Sequence, residues 1–339
     1  MCMIKNIIHK VIFILVLPLL YSCEVPIDVE YEVPVPQIVV DGLITDQPGP
    51  YEIILSYSGA YTSGSDGNNP AVSGAEVVIT DDVGNIEHLR ETRPGRYLTS
   101  DFFQGSVGRT YILSITTQEG SRIESNPEEM LPVPPVDSIY YHFQYLSDPN
   151  KQGHNIFAVV NDPVEEKNFY RWSWDGYYRF FMVTDIDVIS CWRHEYDLNR
   201  ITVVEDRDFN GNNIYHPVAF IPHFANDEYL IHIYQYSLTE NAFKFWNTLS
   251  DQSDNVGSIF DPQPARVKGN MMYVDGTQEP VLGYFGASAV STRHLFMNFK
   301  PGVSPEYPRS YPVQPCESYR DSFVYNPSDP SSWPKGWGE

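Results

Sequence analysis

Residues 74–116 read GAEVVITDDVGNIEHLRETRPGRYLTSDFFQGSVGRTYILSIT, and this stretch predicts the fold class of the chain. Apolar residues alternate in it with polar neighbours, at Val77, Ile79, Tyr97, Tyr111, Leu113 and Ile115. Successive side chains of a strand point to opposite faces, so a period of two is typical of strands with one buried face. Turn residues separate these strands at Asp82-Val83-Gly84 and Pro94-Gly95, a spacing typical of a β-sandwich.

The rest of the chain has the same character. It contains 27 Pro and 22 Gly, with 24 Tyr and 18 Phe, and few long helical patterns. This composition predicts an all-β protein with many turns. We expect two β-sandwich domains: an N-terminal one of the immunoglobulin-like or carboxypeptidase-regulatory-like kind, and a C-terminal one that is rich in aromatic residues.

Proline-rich segments mark the predicted boundaries. Leu131-Pro-Val-Pro-Pro135 interrupts the strand pattern, since prolines stiffen a segment and remove backbone donors. The predicted organisation is a lipoprotein signal peptide over 1–22, an acylated cysteine and extended tether over 23–36, the N-terminal sandwich over 37–130, a joint over 131–135, the C-terminal β domain over 136–300 and an irregular tail over 301–339.

One segment predicts a helix, near residues 237–250. Phe243, Trp246 and Leu249 recur there at helical spacing, and Ser237 or Thr239 precedes them as a candidate N-terminal cap.

The apolar run Val11–Leu20 ends shortly before Cys23. It is shorter than the roughly 20 apolar residues that cross a bilayer as a helix, and its lysine-containing N-terminal flank is typical of an export signal. Leu20 lies three residues before Cys23, and the small Ser22 directly before it, as in the site that lipoprotein signal peptidase cleaves. We therefore expect acyl chains on Cys23, each buried methylene contributing about 0.8 kcal/mol to membrane binding. The alternative is an ordinary signal followed by an unrelated cysteine.

Charge and cysteine content limit the partners and the redox state. The chain has 44 acidic and 22 basic side chains, a formal net charge of −22, which disfavours nucleic acid as a partner. With Cys2 in the signal and Cys23 acylated, Cys191 and Cys316 remain. In an oxidising compartment these two either form a disulfide or stay free, because sequence does not report their separation.

The common motifs of catalysis are missing from the sequence. It contains no G-x-S-x-G, H-E-x-x-H, P-loop or G-x-G-x-x-G motif. We therefore expect no enzymatic activity, no catalytic residues and no cofactor other than a candidate Ca²⁺.

The candidate Ca²⁺ ligands are Asp206, Asp208 and Asn210, in Asp206-Arg-Asp-Phe-Asn-Gly-Asn212. Oxygen ligands at alternate positions before a glycine match the first half of a calcium loop, but Pro217 stands where that loop needs a glutamate. The alternative, which we favour, is a β-hairpin, because Asn210-Gly211 is a preferred two-residue turn between strand-like segments.

An aromatic run in the second half is a candidate binding surface, formed by Tyr170, Trp172, Trp174, Tyr177 and Tyr178. Exposed Trp and Tyr side chains stack on sugars or contact proteins. The alternative, again the favoured one, is that period-two aromatics divide between the core and the sheet surface.

Taken together, several segments resemble domain-of-unknown-function family 4249. The resemblance extends from Cys23 to about Met297, and the pairing of GSIFDPQPARVKGN (257–270) with VLGYFGASAVS (281–291) is its most specific part. It implies a Bacteroidetes-type lipoprotein that is encoded beside TonB-dependent receptors, and it implies no catalytic residues.

The expected function is thus that of a non-enzymatic outer-membrane lipoprotein. We expect it to be an accessory or binding subunit of a TonB-dependent receptor barrel in nutrient uptake or outer-membrane assembly, lipid-anchored and on the cell surface rather than the periplasmic face. The alternatives are a secreted hydrolase of unrecognised type and a structural surface adhesin.

Overall fold

The computed structural model describes residues 35–59, 69–145, 152–164, 167–183, 188–196, 201–208, 211–222, 228–254, 267–276, 280–298 and 322–324. All of these except Val35 belong to one compact unit, Pro36–Glu339. The predicted signal peptide, Cys23 and nearly all of the tether lie outside the described residues. No helix within the described ranges has the length and apolar character needed to span a membrane.

The protein is all-β, as the sequence predicts, with one α-helix among the described residues. In chain order the strands are β1 Ile38–Thr45, β2 Glu52–Tyr57, β3 Glu76–Asp81, β4 Ile86–His88, β5 Arg90–Arg93, β6 Arg96–Leu98, β7 Thr110–Thr116, β8 Arg122–Ser125, β9 Glu128–Glu129, β10 Val136–Gln144, β11 Gly153–Asn161, β12 Phe169–Val183, β13 Val188–Tyr196, β14 Thr202–Glu205, β15 Asn213–Pro222, β16 Glu228–Ser237, β17 Met271–Tyr273, β18 Leu282–Ser288, β19 Val290–Asn298 and β20 Ser322–Val324. The helix, α1, spans Glu240–Asp254.

The N-terminal sandwich consists of two sheets that share one apolar core. Sheet 1 has the strand order β18-β1-β2-β6-β5, and sheet 2 has the order β17-β8-β7-β3-β4, with β9 paired to β7. The alternating residues of the opening stretch supply much of the core, since Val77, Ile79, Tyr97, Tyr111, Leu113 and Ile115 are all buried. The period-two pattern therefore identified the inward face of these strands correctly.

Strands from the far end of the chain complete this sandwich. β18 pairs in parallel with β1, with Val40 opposite Gly283, and β17 pairs antiparallel with β8. The sequence assigns both strands to the C-terminal domain over 136–300, whereas the structure hydrogen-bonds them to N-terminal strands. At Gly283 φ is +88°, and an added Cβ would lie 1.8 Å from the Val40 carbonyl oxygen. Close approach of β18 to β1 therefore requires glycine at this position.

The C-terminal sandwich packs sheet 3 against sheet 4. Sheet 3 has the order β10-β11-β15, and sheet 4 has the order β19-β16-β12-β13-β20, with β14 paired to β12. Their shared core includes Ile156, Val160, Trp172, Ile231 and Ile233. β20 lies within the tail over 301–339 that the sequence predicts to be irregular, and its Val324 pairs with Cys191 of β13.

Helix α1 confirms the helix predicted from the sequence. The Thr239 hydroxyl accepts a hydrogen bond from the Ala242 amide at 3.2 Å, which makes Thr239 the N-terminal cap. Ala242 and Phe245 are buried against Phe169 and Tyr284, so the helix contacts both β12 and β18. Residues 131–135 connect β9 to β10 without regular secondary structure, as the prolines there predict.

Candidate functional site

The outer face of sheet 4, on the side away from sheet 3, carries a cluster of acidic, imidazole and phenol side chains. Asp175 of β12 lies opposite His232 of β16, and His232 lies opposite His294 of β19. On the next row of the same face, Tyr177 lies opposite His194 of β13. Side chains at opposed positions of antiparallel strands share a face, so strand register alone brings these residues together.

Asp175 is the centre of this cluster. Its Oδ2 atom is 2.8 Å from His194 Nε2, and its Oδ1 atom is 3.1 Å from both His232 Nδ1 and the Tyr234 hydroxyl. With the carboxyl group ionised, both imidazole N–H groups and the phenol O–H donate to it. One half-buried carboxylate on β12 thus orients three side chains from two neighbouring strands, β13 and β16.

The electrostatics of Asp175 keep it ionised. Partial burial opposes ionisation, but the hydrogen bonds from His232, His194 and Tyr234 outweigh it and lower the pKa of Asp175. A carboxyl group that is ionised well below neutral pH and whose two oxygens already accept hydrogen bonds is a poor general base, since an efficient base has a pKa near the working pH.

Aromatic rings flank the two imidazoles. Tyr177 stacks on His194, with ring centroids 4.4 Å apart and planes 9° apart, and it meets His232 edge-on. His294 lies 6.1 Å from His232, measured between ring centroids. The two imidazoles thus contact both the Asp175 carboxylate and neighbouring aromatic rings.

The structure divides the predicted aromatic surface between two faces of β12. Tyr170 and Trp172 are 1% and 2% exposed, and they lie in the core between sheets 3 and 4. Trp174 and Tyr178 pack against the same core, whereas Tyr177 points to the outer face. Tyr170, Trp172, Trp174 and Tyr178 therefore do not form a common exposed platform. The interpretation that the aromatic run divides between the core and the sheet surface describes it better.

Sequence reasoning missed Asp175, His194, His232 and Tyr234. The alternation in WSWDGYY does place Asp175 and Tyr177 on one face of β12, and HIY places His232 and Tyr234 on one face of β16. That these faces coincide follows only from the pairing of distant strands, which the sequence does not specify.

The segment with the predicted metal ligands is not a hairpin. β14 pairs with β12 in sheet 4, whereas β15 pairs with β11 in sheet 3, so the segment between them crosses from one sheet to the other. The hairpin interpretation is therefore wrong, because longer-range pairing determines the partners of both strands. Gly211 has φ +75°, a conformation that favours glycine.

The crossing brings Asp206 close to Asp162, which follows β11. Each residue is 1% exposed. Asp206 Oδ2 accepts a hydrogen bond from the Asn168 amide at 2.7 Å, and Asp162 Oδ1 accepts one from the Tyr170 hydroxyl at 2.8 Å. Asp162 Oδ2 is buried with no hydrogen-bond partner. Burial raises the pKa of Asp162, the Tyr170 hydroxyl opposes this, and the negative charge of Asp206 raises the pKa further.

The other predicted ligands, the Asp208 side chain and Asn210, lie outside the described residues. Among the side chains that are described, no group of three or more His, Cys, Asp or Glu residues could hold a metal ion. Ca²⁺ binding therefore stays a prediction.

Of the two cysteines predicted to pair, the structure describes only Cys191. Cys191 is fully buried and disulfide-bonded. Cys316 lies outside the described residues, as do Cys2 and Cys23, so pairing of Cys191 with Cys316 stays a prediction.

Comparison with known families identifies the chain. The family model for "Domain of unknown function (DUF4249)" matches residues 23–294. The match spans more than half of the chain, and the protein belongs to this family, as the sequence resemblance predicts. No curated protein matches the chain.

Proposed function

We propose that this member of the DUF4249 family is a lipid-anchored, non-enzymatic protein of the outer-membrane surface that serves a TonB-dependent receptor barrel as an accessory or binding subunit. In this proposal Cys23 carries the lipid, and the proline-spaced segment 24–36 holds the folded unit near the membrane. The outer face of sheet 4 contacts the barrel or the barrel's substrate.

The anchor is supported by the sequence around Cys23. A short apolar run ends in Leu20-Tyr21-Ser22-Cys23, and the family match begins at Cys23 itself. A single acyl chain binds membranes weakly, and more than one chain on the same cysteine gives a firm anchor.

The observation that carries the binding role is the geometry at Asp175. Its carboxylate accepts hydrogen bonds from His194, His232 and Tyr234, and its pKa is lowered. Such a group orients its neighbours instead of exchanging protons at neutral pH. The oriented face includes the phenol groups of Tyr177 and Tyr234, and tyrosine side chains are enriched at protein interfaces.

Affinity purification from native membranes tests this proposal. The full-length chain, tagged at its C-terminus and extracted in mild detergent, is expected to retain a TonB-dependent barrel that mass spectrometry identifies. His194→Ala removes one ring of the sheet 4 face, and we expect it to reduce barrel recovery about tenfold. Recovery of the tagged chain alone, under conditions that keep other outer-membrane complexes intact, would contradict the proposal.

Two controls separate anchoring from docking. His88→Ala makes the same change at an exposed histidine of the N-terminal sandwich and is expected to leave barrel recovery unchanged. Cys23→Ser is expected to release the chain from the membrane fraction and to abolish labelling by a palmitate analogue. Labelling that persists in Cys23→Ser would contradict the anchor without bearing on the docking face.

A hydrolase is the second candidate function, and the 2.8 Å contact between Asp175 and His194 favours it, because a carboxylate orients the general base in the same way in hydrolytic triads. A screen on polysaccharide and peptide substrates tests it. Activity that is lost in His194→Ala but kept in His88→Ala would establish the hydrolase, and we expect no activity in either variant or in the parent chain.

A further inference from the structure

A small cavity of about 100 Å³ lies where the N-terminal sandwich, helix α1 and sheet 4 meet. Asp41 of β1, Glu128 of β9 and Tyr284 of β18 line it from the N-terminal sandwich, Trp246 lines it from α1, and Arg171 lines it from β12. A cavity of this size holds several water molecules, so it has room for a small ligand. It is separate from the Asp175 cluster, and a ligand there is independent of the proposed function.

Arg171 is the unusual member of this lining. Its guanidinium carbon lies 4.8 Å from the centroid of the Tyr236 ring and 4.5 Å from that of Trp246. Its Nε atom is buried with no hydrogen-bond partner, and within the described part of the chain the guanidinium makes no hydrogen bond or ion pair. Burial lowers the pKa of Arg171, and electrostatic attraction to Tyr236 and to the Asp41 carboxylate opposes this shift without reversing it.

The aromatic rings hold the guanidinium in place but do not satisfy its donors. Ring faces attract the positive charge, yet they offer no lone pairs to the N–H groups in the guanidinium plane. A buried charge without a hydrogen-bonded counter-ion is costly, so a carboxylate in the cavity would be strongly favoured there.

The acidic groups of the cavity differ in what they can still bind. Both oxygens of Glu128 are engaged, since Thr239 donates to Oε1 at 2.5 Å and Tyr284 donates to Oε2 at 3.0 Å. Asp41 is a solvent-accessible residue that also lines the cavity. Partial burial raises the pKa of its carboxyl group, and the positive charge of Arg171 opposes this shift. No ion pair within 4.0 Å joins Asp41 to Arg171, although both line the same space.

We propose that this cavity is a binding site for a small zwitterionic amino acid, with its carboxylate on Arg171 and its ammonium group on Asp41. The two groups have opposite charges and line the same cavity, but they do not form an ion pair within 4.0 Å. A simple anion would gain Arg171 but face Asp41, and a simple cation would gain Asp41 but face Arg171. A zwitterion of glycine or alanine size satisfies both.

Isothermal titration calorimetry of the full-length chain in detergent tests the site, with glycine, acetate and methylammonium as probes. Glycine is expected to bind saturably at one site per chain, at least tenfold more tightly than acetate or methylammonium. Equal affinity for acetate and glycine would overturn the zwitterion assignment, and no saturable heat with any probe would overturn the site.

Variants connect the binding to the two charges. Arg171→Gln and Asp41→Asn are each expected to weaken glycine binding at least tenfold. Asp82→Asn, at an exposed turn of the N-terminal sandwich, is the matched control for Asp41 and is expected to bind as the parent does. Because the Nε atom of Arg171 is buried, the thermal unfolding of Arg171→Gln is measured in parallel. Asp41→Asn keeps the inference testable if Arg171→Gln does not fold, and glycine affinity unchanged in Asp41→Asn would overturn it.

Discussion

Glu128 is the buried carboxyl group that links the N-terminal sandwich to helix α1. Its oxygens accept hydrogen bonds from Thr239, the cap of the helix, and from Tyr284 of β18. Burial raises its pKa to about 7, although both hydroxyl groups oppose the shift. Nothing in the local sequence Pro127-Glu-Glu-Met130 distinguishes this glutamate from its exposed neighbour Glu129.

The raised pKa of Glu128 predicts how stability depends on pH. The folded chain keeps the Glu128 proton up to about pH 7, whereas the unfolded chain releases it near 4.5. The free energy of unfolding therefore falls as pH rises from about 4.5 to 7, by about 3 kcal/mol in total from this group. Glu128→Gln removes this slope, as urea unfolding at a series of pH values would measure. Glu129→Gln is the control and should keep it; an unchanged slope in Glu128→Gln would refute the assignment.

Asp162 and Asp206 make a second prediction at this scale. Two buried carboxylates lie close together, one with an unpartnered oxygen, beside a loop with the Asp-x-Asp-x-Asn-Gly pattern. We predict that Ca²⁺ at about a hundred times its dissociation constant raises the melting temperature by about 5 °C. Asp162→Asn and Asp206→Asn should each abolish the rise, whereas Asp101→Asn at an exposed position should keep it. A melting temperature indifferent to Ca²⁺ in the parent chain would exclude the site.

At the scale of elements, pairing between distant strands overrides local signals. Asn210-Gly211 is a strong local signal for a hairpin, yet β14 and β15 join different sheets. β18 likewise leaves its sequence neighbours and pairs in parallel with β1. Each of these strands gains more from burying its apolar face against a distant partner than a local hairpin would offer.

Gly283 gives a prediction for the β1–β18 pair. Gly283→Ala combines left-handed strain with a Cβ 1.8 Å from the Val40 carbonyl oxygen. Gly120 is a matched control, since it has the same φ of +88° and nothing within 4 Å of an added Cβ. We expect Gly120→Ala to cost about 1–2 kcal/mol of unfolding free energy and Gly283→Ala at least about 2 kcal/mol more. Equal losses in denaturant unfolding would mean that the strands separate readily at this point.

At the scale of the whole molecule, the two sandwiches share chain segments. β17 and β18 enter the N-terminal sandwich after the chain has passed through the C-terminal one. The sequence predicts two successive domains with a joint at 131–135, and an isolated fragment tests whether the first of them is independent.

We predict that residues 36–135 alone do not fold, whereas residues 36–298 do. The short fragment leaves β1 and β8 with unpaired edges and exposes core residues that Phe285 and Met271 cover in the whole chain. Amide chemical-shift dispersion in NMR spectra would distinguish the two fragments. A well-dispersed spectrum of 36–135 with cooperative unfolding would instead support an independent N-terminal domain.

The alternation of apolar and polar residues predicted the N-terminal strands and their buried faces, because successive side chains of any strand point to opposite faces. Val77, Ile79, Leu113 and Ile115 needed no knowledge of a partner to be placed in a core. For the Asp175 cluster, the sequence predicts which residues share a face within one strand. It does not predict that β12, β13 and β16 are neighbours. The side chains of Arg171 and Trp246 likewise meet across 75 residues of sequence.

The sequence by itself determined the all-β class, the helix capped by Thr239, the inward face of the N-terminal strands and membership of the family. These properties depend on residues that are close in sequence or on motifs that can be recognised directly. Only the tertiary structure decided that β18 joins β1, that Asp175 gathers His194 and His232, and that Asp41 and Arg171 share a cavity. Backbone hydrogen bonding between strands is largely independent of side-chain identity, so many registers satisfy the same local pattern, and only the burial of the complete core selects one of them.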